Sequence, residues 1–546
     1  MQKALRTALF AGVVLLAAYL RLTGLSWGLS SGYGLYRNFQ SDEFVSLRGV
    51  LQIDLLAGRL EAPGAYFEGT FNYYLWAVPK ALLKISNAQD TGLGDRQNVK
   101  GHADLLYICR WMSVLFDLAA IVIVFLAISE ATQKFYPSLM GALCYAILPM
   151  EVIYAHFMRP HILSNLLCAL VIWLSLKLRK SKSWQMLFAV GLCSGLGAAT
   201  RYPVGIIVVI PCLYLLLNDR ADSQNETIRS WERVKLFVAG PIWLIGLGFV
   251  VGLFLGHPML FLNPLTVIKA ITGQTLKYAT LQQFSLGQLV NLSVVWRYIT
   301  YLIPFAMYPV LWLVPYAAIS YLVFRRSLYS QSVPILIFSF LYLYFMGKGY
   351  LALGQYDFAR ETMLLFPGFC VLVGIASSDL HLRLRNRRIG ASILASALVV
   401  ILGPTVVFDI AYGHAMQQKD AREALRDDLQ KLIGESRAII GISRFAPYFY
   451  TVTPATEPLK SDKVTVHLQD AGENADFFLL GLPTEINPVQ LNAAIRAVEA
   501  QGKFKYEKSY CGHLKIFGHE FGLVRFPVDM TFPFPTILLF RARVQT

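Results

Sequence analysis

The sequence predicts an α-helical polytopic membrane protein of about eleven transmembrane helices, closed by a small C-terminal α/β soluble domain. Three observations carry this prediction. Hydrophobic residues make up 55% of the chain and charged residues only 15%, with a mean hydropathy of +0.50; a soluble chain is about a quarter charged. Apolar runs long enough to cross a hydrocarbon core of about 30 Å recur along residues 1–411. The 49 Lys and Arg outnumber the 34 Asp and Glu, and most of the excess sits in short connections between those runs. That is the positive-inside pattern, not a nucleic-acid-binding surface.

Spans fall near 6–26, 106–129, 137–155, 161–178, 185–200, 203–217, 235–256, 298–324, 333–347, 361–378 and 390–411. The first has the look of a signal peptide, but Arg21 follows directly with no small-residue cleavage site, so it reads as an uncleaved span. The fifth and sixth abut at Arg201-Tyr202-Pro203 and could form one broken hairpin. The stretch 71–83 is too short and too punctuated to span, and reads as an interfacial helix. With Lys3 and Arg6 cytoplasmic, alternation brings Lys134, Lys177 to Lys182, Arg220 to Lys235, Arg325, Arg326 and Arg383 to Arg388 to the same side. The opposite face receives the loops 27–105, 156–160, 257–297 and 348–360 and the tail from about 412. The expected organisation is therefore 1–411 as a transmembrane domain, with 27–105 its first extracytoplasmic loop, and 412–546 as a periplasmic domain.

In the tail, 420–434 has helical period, Ala438-IIGIS and Phe477-FLLGL read as buried strands, and Lys463-VTVHL alternates. Asn487-PVQLNAAIRAVEAQ-Gly502 is a helix with Pro at its first turn and Gly past its end. Of the seven cysteines, only Cys511 lies in the tail, and the set forms neither a disulfide framework nor a zinc pair.

The segment richest in chemistry is Phe39-Gln-Ser-Asp-Glu-Phe44. Its plain reading is a helix start, with Ser41 as cap and Asp42 and Glu43 at the positive end of the dipole. A helix start is also a rigid mount for a catalytic carboxylate. Asp42-Glu43 lies after the first span, Arg21 and a Gly-rich stretch, and before Tyr66-Phe-Glu-Gly-Thr-Phe-Asn-Tyr-Tyr74. Farther along come Pro149-MEVIYAHFMRPHILSN, Gly195-LGAATRYP, Phe358-ARETMLLFP and Ala421-REALRDDL. In this order the segments resemble the glycosyltransferase C superfamily, in its protein O-mannosyltransferase and aminoarabinose-transferase branch, over about residues 1–430.

The resemblance implies a membrane glycosyltransferase of that superfamily's fold in a bacterial inner membrane. Its donor would be a polyprenyl-phosphate-linked sugar and its acceptor a glycan, lipid or protein on the outer face; the tail, by its position on that face, is expected to help recognise the acceptor. By the family match Asp42 is the general base and Glu43 its neighbour in the acidic pair. A hydroxyl nucleophile needs a carboxylate within hydrogen-bond reach to take its proton. The departing lipid phosphate needs cations more than an acid. Arg360, Arg159 and Lys277 lie on the outer face by the topology, and a guanidinium suits phosphate geometry. Glu68, Tyr73, His161 and Arg201 sit in the other family-like segments and complete the expected substrate-binding set. The chain departs from the pattern at Thr70-Phe71, where relatives carry Pro-Pro, and at Pro160-His161, where many carry an acid. Asp42, Glu43, Glu68, His156, His161 and His257 offer ligands for a divalent cation, but their spacing matches no metal motif. Asp117 and Glu151 fall inside spans and should face the bundle interior, paired structurally. Two other classes remain: a transporter or flippase of lipid-linked sugars, which should show inverted repeats that this sequence lacks, and a sensor whose tail binds a ligand.

Overall fold

A computed structural model describes residues 2–29, 40–85, 99–181, 183–218, 240–279, 292–351, 358–384, 388–443, 456, 459–469, 474–482, 488–523 and 526–543. The chain divides into two compact units. One comprises Met1–Leu22, Gly49–Leu82 and Cys109–Asp409; the other comprises Thr23–Arg48, Leu83–Ile108 and Ile410–Thr546. The second thus joins the expected tail to two pieces of the expected first loop.

By length and composition, six described helices are long and apolar enough to cross a membrane: Gln2–Leu22, Gly101–Thr132, His161–Leu178, Tyr329–Met346, Ala359–Arg383 and Val399–Ile433. A seventh arises if Phe135–Ala146 and Pro149–Ala155, bent by 58°, form one span. Trp184–Thr200, Tyr202–Leu217, Pro241–Gly256 and Leu313–Val323 are apolar but shorter. They occupy the positions of the remaining expected spans. The expected run 298–324 is interrupted: a π-turn at Tyr298–Leu302 leads into Ile303–Ala306, and the α-helix restarts only at Leu313. Pro304 and Pro309, which lack a backbone donor, fall in and after this break. A helix does form in the stretch 71–83, at Phe71–Leu82.

Close packing in the first unit rests on glycine. A Cβ on Gly191 would lie 2.1 Å from Ile245 O, and one on Gly195 2.0 Å from Phe249 O. Reciprocally, Gly248 and Gly252 sit against Phe188 O and Leu192 O at 2.2 and 2.3 Å. Two small-xxx-small faces thus let Trp184–Thr200 and Pro241–Gly256 touch backbone to backbone, the means by which helices associate where lipid removes the hydrophobic drive.

Asp117 faces the interior, as expected. Its carboxylate pairs with Arg21 Nε, both side chains being fully buried. Arg21 Nη1 donates to Ala17 O at 3.2 Å and to Ala146 O at 2.7 Å, where the bend before Pro149 interrupts the helical ladder. Glu151 accepts from Asn165 Nδ2 at 2.5 Å.

The second unit holds the sheet. Its strands are β1 Ala438–Ser443, β2 Val464–Gln469, β3 Phe477–Leu482, β4 Phe504–Cys511, β5 Leu514–Ile516, β6 His519–Phe521 and β7 Thr536–Ala542. The order is β2-β1-β3-β7-β4, with β1 parallel to β2 and β3, and β7 antiparallel to β3 and β4; β5 and β6 form a separate hairpin. Alternation along β3 sends Phe477 and Leu479 to one face, against Leu425, Leu429 and Ile433 of the helix Ala421–Ile433. Phe478 faces the other way, with Phe504, Phe540 and Val498 of the helix Pro488–Glu499. Asp420 and Glu423 close a capping box on Ala421–Ile433. Asp420 also accepts from Arg422 Nε at 2.7 Å and Trp27 Nε1 at 3.2 Å, tying Thr23–Arg48 to the tail.

Replacing Arg21 by Met strands a buried carboxylate and should cost about 3–5 kcal/mol. The double variant Arg21→Met/Asp117→Leu should recover at least half of the loss. Thermal unfolding in detergent tests this, and a double variant no more stable than the single one refutes it.

Candidate functional site

Three interruptions of helix in the first unit set charged side chains among apolar ones. The first lies between Pro149–Ala155 and His161–Leu178, where Pro160 caps the second helix and His161 opens it. Arg159 is held just before that cap. The second is Arg201, with extended backbone (φ −150, ψ 127), which ends Trp184–Thr200 and precedes the 3-10 turn Tyr202–Val208 with its Pro203. The third is the 3-10 turn Ala359–Leu365, which carries Arg360 and Glu361 into the helix Phe366–Leu384.

These breaks build two linked ion clusters. Arg159 Nη2 donates to Glu68 Oε1 at 2.7 Å, and the buried Tyr73 hydroxyl donates to Glu68 Oε2 at 3.1 Å. Glu361, 2% exposed, accepts from Arg201 Nη2 at 2.6 Å through Oε2. Its Oε1 lies 3.5 Å from Arg360 Nε and 3.8 Å from His161 Nε2. Arg360 Nη1 donates to the Tyr154 hydroxyl at 3.2 Å and its guanidinium stacks 4.1 Å over Phe358. The Tyr154 and His161 rings meet edge to face at 4.9 Å. Among the described residues, Arg159, Arg201 and Arg360 thus meet the carboxylates of Glu68 and Glu361.

The Glu68 loop is seated by a glycine and a histidine. Gly69 has φ +127, and a Cβ there would lie 2.4 Å from Ala199 O. Thr70 Oγ1 lies 2.8 Å from His257 Nδ1, and the Tyr202 hydroxyl lies 2.9 Å from His257 Nε2. The Tyr202 hydroxyl also lies 2.5 Å from Tyr66 O, and Thr70 Oγ1 2.9 Å from Gly256 O; a neutral imidazole carries one N–H, so the ring donates to one hydroxyl and accepts from the other, and only the hydroxyl that receives from the ring gives its own proton to its carbonyl. His257 thereby bridges the Glu68 loop to the residue after Arg201. Burial pushes its pKa down to about 4 and pushes the Tyr66 phenol up to about 12. Both groups are neutral at pH 7.

Among the expected residues, Glu68, Tyr73 and Arg159 come together, as do His161, Arg201 and Arg360. Asp42 and Glu43 belong to the second unit and lie in the first turn of the helix Ser41–Gln52; Glu43 is buried and Asp42 partly so. The cap is Gln40, not Ser41: the helix begins one residue earlier than expected, and Gln40 Oε1 accepts from Glu43 N at 2.6 Å. Lys277 falls on the helix Pro264–Ala279, but its side chain lies outside the described residues. Glu361 and the bridging role of His257 went unread in the sequence, although Glu361 adjoins Arg360 in an already conspicuous segment. Among the described residues no three His, Cys, Asp or Glu side chains converge as metal ligands. Within the first unit, Glu68 and Glu361 are engaged by guanidinium groups instead, an arrangement that does not fit a divalent cation.

The His257 geometry generates a pH prediction. Between about 6.5 and about 4 the unfolded chain takes up a proton that the folded ring refuses. Stability should therefore be full above that window and fall as pH drops through it, by roughly 2–3 kcal/mol. Unfolding of the wild type and His257→Gln between pH 7 and pH 5 tests this; an equally steep loss in the variant would assign the effect to another group.

Residues 105–253 match the dolichyl-phosphate-mannose-protein mannosyltransferase family. No curated protein matches the chain. Among solved structures, the archaeal oligosaccharyltransferase AglB from Archaeoglobus fulgidus, in complex with an inhibitory peptide and a dolichol-phosphate, matches with a TM-score of 0.50 at 14% identity, over 83% of this chain and 64% of that one. This chain thus spans just under two thirds of that protein's length. ArnT from Cupriavidus metallidurans bound to undecaprenyl phosphate matches with a TM-score of 0.45 at 12% identity, over 98% and 97% of the two chains. The chain has the fold of glycosyltransferase C membrane enzymes, and over residues 105–253 it carries the pattern of the mannosyltransferase family.

Proposed function

We propose that the protein is an inverting glycosyltransferase that moves a sugar from a polyprenyl-phosphate donor to an acceptor on the extracytoplasmic face of a bacterial inner membrane. The observation that carries this reading is the largely buried group Arg159, Arg201 and Arg360, gathered with Glu68 and Glu361 where helices break. Irregular backbone at membrane depth is tolerated where it is buried in protein or lines a cavity. Guanidiniums fixed there suit a lipid-borne phosphate. The dolichol-phosphate in the AglB complex supports the same donor class, as does the match of residues 105–253.

The chemistry is a single displacement. The acceptor hydroxyl attacks the anomeric carbon as the bond from that carbon to the phosphate oxygen breaks. The hydroxyl proton passes to the Asp42 carboxylate, and the lipid phosphate departs as an anion. One attack from the face opposite the leaving group inverts the anomeric centre. Arg201 and Arg360 gain most by facing the phosphate, because its negative charge grows as the bond breaks. Glu361 fixes both guanidiniums, and Tyr73 and Arg159 fix Glu68, whose carboxylate suits sugar hydroxyls as donors. Lys277 is a further candidate contact to the donor. The basic loops of the sequence support an orientation with the N-terminus cytoplasmic and the tail from about 412 periplasmic.

Proteoliposomes supplied with a panel of polyprenyl-phosphate sugars test the reading. Asp42→Asn should lower turnover by about 10²–10⁴-fold while donor binding is kept. Arg360→Gln should weaken turnover and donor binding together, with Glu361→Gln giving a smaller loss of the same kind. Undiminished turnover in Asp42→Asn removes that residue from the mechanism, and no transfer from any donor of the panel removes the proposed reaction.

A further inference from the structure

A second feature of the first unit lies a helix length from the charged cluster. The helix Phe366–Leu384 starts beside Glu361 and, at 19 residues, runs about 28 Å. Its later half borders a cavity of about 510 Å³. Met140, Leu313, Ala317, Val373 and Ile401 make the walls, all apolar. Such a cavity in a membrane-facing wall accepts hydrocarbon.

Its rim is not apolar. Tyr321 and His381 line the cavity, and beside them one carboxylate oxygen gathers three donors. Asp379 Oδ2 accepts from the Tyr321 hydroxyl at 2.5 Å, from Arg325 Nε at 3.1 Å and from Arg383 Nε at 3.2 Å. Lys134 Nζ adds a donor to Ser378 O at 3.3 Å, next to the lining residue Ser377. Two guanidiniums thus share one carboxylate, with Lys134 on the neighbouring carbonyl, and Arg325 and Arg383 remain 28% and 52% exposed. Asp379 orders the two guanidiniums without neutralising both.

We propose that this groove is a binding site for one anionic phospholipid of the leaflet remote from the charged cluster. An acyl chain would lie along Ala317 and Val373, and the headgroup phosphate would meet Arg325, Arg383 and Lys134. The apolar walls exclude a free phosphate as the occupant, because the volume would stay unfilled. The basic rim selects an anionic headgroup over a zwitterionic one; basic pockets between spans recognise lipids in this way. The site is independent of the proposed transferase reaction and stands or falls without it.

The test uses the full chain in detergent, stripped of lipid and titrated with phosphatidylglycerol or phosphatidylcholine under native mass spectrometry. Wild type should retain one phosphatidylglycerol at least tenfold more tightly than phosphatidylcholine, and raising salt from 50 to 500 mM before transfer should shrink that preference. Arg325→Gln/Arg383→Gln should lose the preference, Arg325→Lys/Arg383→Lys should keep most of it, and Ala317→Phe should weaken retention of both lipids. Equal retention of the two lipids by wild type, or a preference insensitive to salt, overturns the proposal. These wild-type arms decide the question even where a variant fails to fold.

Discussion

The first unit is organised around the buried carboxylate of Glu361. A charge at 2% exposure needs partners within hydrogen-bond or ionic reach, since leaving it alone costs several kcal/mol (about 3–5). Its partners come from elements far apart in sequence. Arg201 ends Trp184–Thr200, His161 begins His161–Leu178, and Arg360 precedes it in the same turn. Meeting that one demand fixes where three helices stop relative to one another. The Arg159–Glu68 pair extends the arrangement into the loop that Gly69 lays against Ala199.

The breaks are as informative as the helices. Backbone groups freed by a break must find partners inside the protein, because lipid offers none. Around the cluster they do. Arg21 reaches Ala146 O at the bend before Pro149, Thr70 reaches Gly256 O at the end of Pro241–Gly256, and Tyr202 reaches Tyr66 O. The same side chains that satisfy the breaks also position Glu68 and Arg201, so stability and site geometry are set by one network. His257 shows the cost of this: it serves both Thr70 and Tyr202 only while neutral enough to be buried, which couples the loop to pH.

Much of this was legible in the sequence. Apolar length and the basic loops predicted the membrane class. The continuous apolar run Phe477-FLLGL and the Pro-to-Gly helix after Asn487 predicted β3 and Pro488–Glu499. Asp117 in a span implied an interior partner, and Arg21 is that partner. Other features were not legible, for physical reasons. Helix length is a property of backbone geometry that hydropathy alone does not report, so Pro304 and Pro309 broke a run that composition read as continuous. Ser41 is a better intrinsic cap than Gln40, but the helix starts where Gln40 can reach Glu43 N. Glu361 was hidden because a carboxylate next to an arginine looks like an ordinary neighbour pair; its meaning comes from Arg201, 160 positions away.

One device recurs at both ends of Phe366–Leu384. Glu361 is shared by Arg201 and Arg360, and Asp379 by Arg325 and Arg383. A lone arginine in such surroundings would be poorly ordered and expensive to desolvate, whereas a simple ion pair would be neutral. Two guanidiniums on one carboxylate avoid both outcomes. The carboxylate offsets desolvation and fixes the geometry of both guanidiniums. The environments then differentiate the two sites. Near Glu361 the charges are enclosed among helix breaks and aromatic rings, where electrostatic interactions are stronger and an anion is held in a defined orientation. At Asp379 they stand half-exposed beside an apolar groove, where a headgroup can exchange with the bilayer. The same pairing is thus enclosed at one end of the helix and half-exposed at the other, and burial is what distinguishes the two sites.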